Sequence, residues 1–442
     1  MAGTGRLRAP LLTGLVLWGA VVSGASWHHR AGTSPAFKEV LQRAAPGDTV
    51  HVHGEVREGT ITIDKPLVLI GHDGAVIDGE GMGEVVLITA DDVTIEGFTI
   101  RGSRISNLED NAGIKASECR NTVVRDNFLD GCFFAIYLSG SKGGIVENNR
   151  VVGPDVRDDQ MGNGIHLWKC NSVIIRKNTV TNHRDGIYFE FVTDTRIEDN
   201  ISTGHIRYGL HFMFSHRNEY TGNLFRDNGA GVAVMYSHHI IMRRNRFEAN
   251  RGASAYGLLL KEINDGEITD NLMMDNTTGL MVDGCNRIDA LRNEFRNNGW
   301  ALRLFANALY CTFEDNAFIG NTFDLSSNGE LKENVMTGNY WDRYVGYDLD
   351  RDRMGDTPYR PLGFFALLVE RIPYAMVFSR SLFVSLLDRA ERLIPTLTPA
   401  AMKDDRPLMR QQEWVGRTAG IWTSDEKHGL GERSAAKDQR NG

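Results

Sequence analysis

Two pairs of residues suggest metal chemistry. Met213 and Met235 are 22 residues apart, and so are His216 and His238. If 22 residues close one coil of a repeating structure, each pair sits on adjacent coils about 5 Å apart. Thioether and imidazole donors at that spacing can share one ion, and the mixture favours Cu(I) among the common metals. His211 and His239 lie close by in the sequence and extend the candidate set. The same residue types also build protein-binding faces, where Met and aromatic side chains are enriched. His166, Trp168, Tyr188, Glu190 and Met281 fall in the equivalent columns of nearby coils and form the candidate partner-binding face. Both uses can hold together, because handing on a metal requires a docking surface.

The rival chemistry is carbohydrate cleavage. It requires paired carboxylates, or a carboxylate cluster with a positioned Lys or Arg base. Glu190, Lys261, Asp283 and Arg303 share one face, but Glu190 and Asp283 are four coils apart, about 19 Å by the coil spacing. That is too far to flank one glycosidic bond. A non-catalytic assembly or scaffold protein is the expectation, and a carbohydrate-binding or lyase/epimerase-like protein is the alternative.

These columns depend on a repeat. Gly113-Ile-Lys-Ala, Ala135-Ile-Tyr-Leu, Gly164-Ile-His-Leu, Gly186-Ile-Tyr-Phe, Gly209-Leu-His-Phe, Gly231-Val-Ala-Val, Gly257-Leu-Leu-Leu, Gly279-Leu-Met-Val and Ala301-Leu-Arg-Leu recur at intervals of 22 to 29 residues. A second phrase follows each and ends in Asn, from Asn127, Asn149 and Asn178 to Asn316. Self-similarity at a fixed period marks a solenoid. The phrases alternate apolar and polar residues over four or five positions, so they are short strands that pair with the next coil. The fold class is therefore all-β, a right-handed parallel β-helix of about ten coils of roughly 22 residues. The recurrent Asn is expected at a turn, tolerating left-handed φ and hydrogen-bonding along the stack.

The ends need caps, because a solenoid end exposes a sheet edge and an open core. Phe37, Val40, Leu41 and Ala44 fall at i, i+3, i+4 and i+7, an amphipathic capping helix. Residues 1–25 carry a short basic start (Arg6, Arg8), an apolar run and small residues at a cleavage site. That is a secretory signal pattern. Residues 26–340 hold the capping helix and the solenoid, and 341–361 form an acidic loop. Residues 362–400 are an apolar, partly helical segment in which Phe364, Phe365 and Phe378 are candidate partner or membrane contacts. Residues 401–442 read as a polar, disordered tail. Asp348, Asp350, Asp352 and Asp356 could offer oxygen ligands to calcium, although Arg351 and Arg353 stand where small residues are expected.

The formal charge is −8, or −10 without the two leader arginines. An acidic surface argues against nucleic acid. The five cysteines are an odd count at wide spacing, which is no disulfide framework. Cys119, Cys170 and Cys285 share one inward column with Ser141, Ser215 and Ser237 and read as buried free thiols.

Several phrases together resemble one family: Gly164-Ile-His-Leu-Trp, Asp185-Gly-Ile-Tyr-Phe-Glu, Arg207-Tyr-Gly-Leu-His-Phe-Met-Phe-Ser-His and Asn339-Tyr-Trp-Asp-Arg-Tyr, followed by Gly346-Tyr-Asp-Leu-Asp and Gly355-Asp-Thr-Pro-Tyr. They resemble the NosD family of periplasmic nitrous oxide reductase maturation proteins, over about 51–414. The resemblance implies work in the periplasm with an ABC transporter made of a membrane permease and a cytoplasmic ATPase. It implies assembly of the copper–sulfide cluster of nitrous oxide reductase, with copper received from a lipoprotein chaperone. No stretch resembles a nucleotide site, so ATP hydrolysis belongs to a partner. Membrane contact is then expected through that partner.

Overall fold

In the computed structural model, residues 24–106, 108–379, 381–393 and 402–411 are described. Residues 1–23, most of the expected leader, and the segment from 412 onward lie outside the described residues. Short strands stack coil upon coil in parallel register, as Tyr208–Met213 does on Ala230–Met235. A 12-stranded sheet forms one wall. A 25-stranded sheet forms the other two, joined because the 11-residue strand Val68–Asp78 turns a corner and pairs with both Thr94–Glu96 and Thr99–Arg101.

The solenoid makes about 14 turns, not ten. The extra turns lie at the N-terminal end, where Ser26–Arg30, Thr49–Val56 and Val68–Asp78 pair in order. Their sequences lack the Gly-plus-apolar phrase and the Asn, so periodicity alone did not reveal them.

Each coil closes around an apolar interior. Ile187, Leu210, Val232, Leu258, Leu280 and Leu302 form one fully buried column. Aromatic stacks run along the same interior, with Phe295, Phe318 and Trp341 centred 4.8 and 4.0 Å apart. Such pairs contribute about 0.5–1.5 kcal/mol each beyond the area they bury.

The Asn column is a buried ladder. The Oδ1 of Asn245 accepts from the backbone N–H of Asn223 and from its Nδ2, both at 3.0 Å, while the Nδ2 of Asn245 donates to the carbonyl of Tyr220 at 2.9 Å. The left-handed φ falls on the residue before, such as Asp199, Arg244 or Asp270. The amide therefore points inward and satisfies backbone groups that no sheet can reach. A second ladder lies five residues on, through Asn228, Asn250, Asn276, Asn298 and Asn321. Its N-terminal members are imidazoles: His183 N–H donates to His205 Nδ1 at 3.1 Å, and His205 N–H to Asn228 Oδ1 at 3.0 Å.

Both ends are capped. Helix α1 (Phe37–Arg43) buries Phe37, Val40 and Leu41 over the first turns, and the Glu58 carboxylate accepts from its first two N–H groups at 2.7 and 3.0 Å. At the other end α2 (Phe364–Arg371) buries Phe365, Ala366 and Val369 against the last strand of the 12-stranded sheet. A six-residue 3-10 turn, Pro373–Phe378, leads to α3 (Leu382–Leu393). Residues 402–411 do not behave as a disordered tail. They bridge Met336 and Tyr340 in parallel and complete the last rung. Asp404, fully buried, ends the Asn ladder by accepting from Asn339 N, Asn339 Nδ2 and Trp341 Nε1 at 2.9, 3.0 and 3.1 Å.

Candidate functional site

The candidate metal residues line one edge of the 12-stranded sheet, where Tyr188 Oη lies 3.9 Å from Met213 Sδ. Met213 and Met235 end adjacent strands and lie in direct register. Phe214 and Tyr236 follow with left-handed φ, which turns the chain sharply. Ser215 and Ser237 then point inward, and Ser215 N–H donates to Ser237 Oγ at 3.1 Å. His216 and His238 come next and point outward. Their rings stack with centroids 3.9 Å apart and an interplanar angle of 10°. His239 joins them, with its Nδ1 2.9 Å from His238 Nδ1. Burial holds His216 below its ordinary pKa, aided by His238 and Arg217, so its imidazole is neutral at pH 7. Its Nδ1 is buried without a hydrogen-bond partner.

The donor types suit a soft ion. They are imidazoles, one with a buried unpartnered nitrogen, and two thioethers on the adjoining strand ends, a mixture that favours Cu(I). They form an open row and not a closed cage. An exposed aromatic stack borders it, with Phe191, Phe214 and Tyr236 at 5.5 and 5.1 Å centroid spacing. This column, one residue past the Met column, recurs at the same coil spacing, but it falls at the turn just outside the strand phrases.

His211 does not join the set. It is only 5% exposed. It packs between Tyr188 and Tyr208, with its Nδ1 3.8 Å from Asp185 Oδ2. The outward strand position is real, but neighbouring rings cover it. It extends an aromatic column in which Tyr137, His166, Tyr188 and His211 follow one another at 4.6, 4.7 and 5.1 Å. Burial, reinforced by Arg184, pushes His166 down to about 3. Burial pushes Tyr137 and Tyr188 up to about 12. Tyr137, His166 and Tyr188 are therefore uncharged at neutral pH.

The parallel row Trp168, Glu190, Met213, Met235, Lys261 and Asp283 is in continuous register. Met281 sits beside Leu259 and Arg303 in the aromatic column's continuation. Of the phenylalanines, Phe378 is 55% and Phe364 36% exposed, whereas Phe365 is 3% exposed. Phe365 is core, 5.9 Å from Phe323, and cannot contact a partner.

The polymer-cleaving residues are not assembled. Arg303 Nη2 donates to Glu370 Oε1 at 2.7 Å, and Ser326 Oγ donates to the other oxygen at 2.8 Å. Asp283 accepts from Asn307 at 2.9 Å, and Glu190 remains four rungs away.

All five thiols are buried and free, and burial pushes Cys132 and Cys285 up to about 12. They line the interior and supply no surface ligand. Among the described residues, Asp348, Asp350 and Asp352 have ligand oxygens within 4.8 Å of one another. Asp356 is turned away to the backbone of Leu349, and Asp352 is engaged by Arg406 at 3.0 Å.

The chain is a capped parallel β-helix of the solenoid class, with an open His/Met row and an aromatic face. Solved parallel β-helices share the fold alone: the Dettilon tailspike protein (TM-score 0.55, 13% identity, 70% of each chain) and a DFA-IIIase from Arthrobacter chlorophenolicus (TM-score 0.52, 13% identity, 66% of this chain and 94% of that one). Residues 153–346 match the family model described as periplasmic copper-binding protein (NosD). The "Probable ABC transporter binding protein NosD" of Pseudomonas aeruginosa is 31% identical over 380 residues, 80% of this chain and 86% of that protein. The protein of the same name from Stutzerimonas stutzeri is 29% identical over 384 residues, 80% of this chain and 85% of that one. The chain belongs to the NosD family.

Proposed function

We propose that this chain is a non-catalytic periplasmic factor that receives copper and presents it for assembly of the copper–sulfide cluster of nitrous oxide reductase. Copper is cargo in this reading. A lipoprotein chaperone delivers Cu(I), the row around His216, His238, Met213 and Met235 holds it, and the adjoining aromatic face docks the reductase. Exchange between partners needs few and soft ligands, and the row supplies an open set of them. The ABC permease and its ATPase supply the energy-dependent step, and α3 with the preceding 3-10 turn docks to the permease.

The observation that carries the reading is the in-register Met pair followed by stacked imidazoles, one with an orphaned buried nitrogen. The test is maturation in the cell. A chain with Met213→Ala, Met235→Ala, His216→Ala and His238→Ala replaces the parent, and copper in the purified nitrous oxide reductase is measured. Reductase lacking its cluster copper supports the reading. Fully loaded reductase from cells with normal levels of the variant chain refutes it.

A further inference from the structure

The N-terminal end carries a second set of imidazoles far from this row. His28 lies beside His51 on the next strand, and His53 lies beside His72 on the one after. His51 and His53 are two residues apart on one strand, so all four project from the same outer face. Ring centroids are 4.8 Å apart for His28 and His51, 5.0 Å for His51 and His72, and 5.0 Å for His53 and His72. His51 Nδ1 and His72 Nε2 are 2.8 Å apart. The Asp73 carboxylate lies 3.5 Å from His53 Nδ1.

Six rungs separate His72 from the level of His216, about 29 Å at the rung spacing. The two clusters cannot share an ion, and their chemistry differs. The N-terminal set has no sulfur donor. Imidazole alone suits borderline divalent ions such as Zn(II).

We propose that His28, His51, His53 and His72 form a separate site for a borderline divalent transition ion, with Zn(II) as the probe. Tetrahedral zinc at about 2.0–2.1 Å from each nitrogen sets its ligand nitrogens about 3.3 Å apart. The His51–His72 pair is already near that separation. The rings are stacked, so the remaining ligands converge by side-chain rotation, which half-exposed residues make on the nanosecond scale. Asp73 is placed to accept from His53 Nδ1–H while Nε2 ligates, the outer-shell carboxylate that orients ligating histidines. Without an ion, four adjacent imidazoles offer little stability that a Thr or Val row would not, and they repel once protonated.

The test is zinc competition against a chromophoric chelator at pH 7, using the full exported chain without a histidine tag. The parent is expected to bind one Zn(II) at this site. His51→Ala with His72→Ala is expected to weaken it about 100-fold or more, beyond the loss from altering an outer-shell partner. His51→Gln with His72→Gln keeps side-chain bulk and serves if the alanine pair fails to fold, with matching melting curves in EDTA as the folding check. His216→Ala with His238→Ala is expected to leave this zinc affinity unchanged. Undiminished affinity in the folded N-terminal variant, no zinc binding by the parent, or loss of zinc only in the His216/His238 variant overturns the proposal.

Discussion

His183 and His205 occupy places in a buried ladder that Asn fills elsewhere. Burial pushes His183 down to about 3 and His205 down to about 4, well under the ordinary value of 6.5. Between pH 6.5 and about 4 the unfolded chain takes up protons there and the folded chain does not. Stability therefore falls as pH falls through that window. Replacing both by Asn removes this dependence. Between pH 7 and 5 the parent is expected to lose about 3 kcal/mol more than the His183→Asn, His205→Asn variant, read from urea midpoints at the two pH values. Equal losses would show that these imidazoles already titrate in the folded state. The lowered pKa of His216 works in the same direction for cargo. Copper affinity is expected to persist to more acid pH than an ordinary imidazole would allow, because protons compete for this nitrogen only there.

Among the elements, the ends are less obvious than the coils. Asp404 lies in a segment that reads as solvated, Lys403-Asp404-Asp405-Arg406, yet it terminates the Asn ladder with three accepted bonds. Asp404→Ala leaves those donors unsatisfied in the interior, at about 1–3 kcal/mol each. Faster proteolysis and amide exchange of residues 335–341 and 402–411 are expected, with the central coils unaffected. Asp404→Asn keeps an accepting oxygen and is expected to be milder. Phe365→Ala is expected to destabilise the α2 cap by about 3–5 kcal/mol. Phe378→Ala, at an exposed position, is expected to change stability by less than about 0.5 kcal/mol. The α1 cap was legible because its apolar spacing is helical. Asp404 was not, because its partner Asn339 is 65 residues away and nothing local marks the contact.

Across the whole molecule, register explains what the sequence could reveal. A fixed period makes equivalent residues neighbours, so the Met213–Met235 and His216–His238 pairings follow from counting. Counting places neighbours but not how far their rings cover one another, as Tyr188 and Tyr208 cover His211. It misses the rung built from residues 402–411, which closes the end. It also fails where the period is absent, as in the first turns that bring four histidines together. At the far end, Tyr374, Val377, Phe378, Leu382, Phe383 and Leu386 form an exposed apolar surface beyond the α2 cap. Among the described residues no helix is long and apolar enough to cross a membrane. Leu382→Glu with Phe383→Glu is expected to abolish co-purification with the permease and leave the chain folded. Retained co-purification would move the docking surface elsewhere.

The central claim is that the His/Met row holds Cu(I). An anaerobic Cu(I) competition titration of the exported chain tests it most directly, beside the variant Met213→Ala, Met235→Ala, His216→Ala and His238→Ala. The account predicts about one Cu(I) bound by the parent and lost in the variant. Equal Cu(I) binding by the two chains, or none by either, would contradict it and leave the row as a docking face alone.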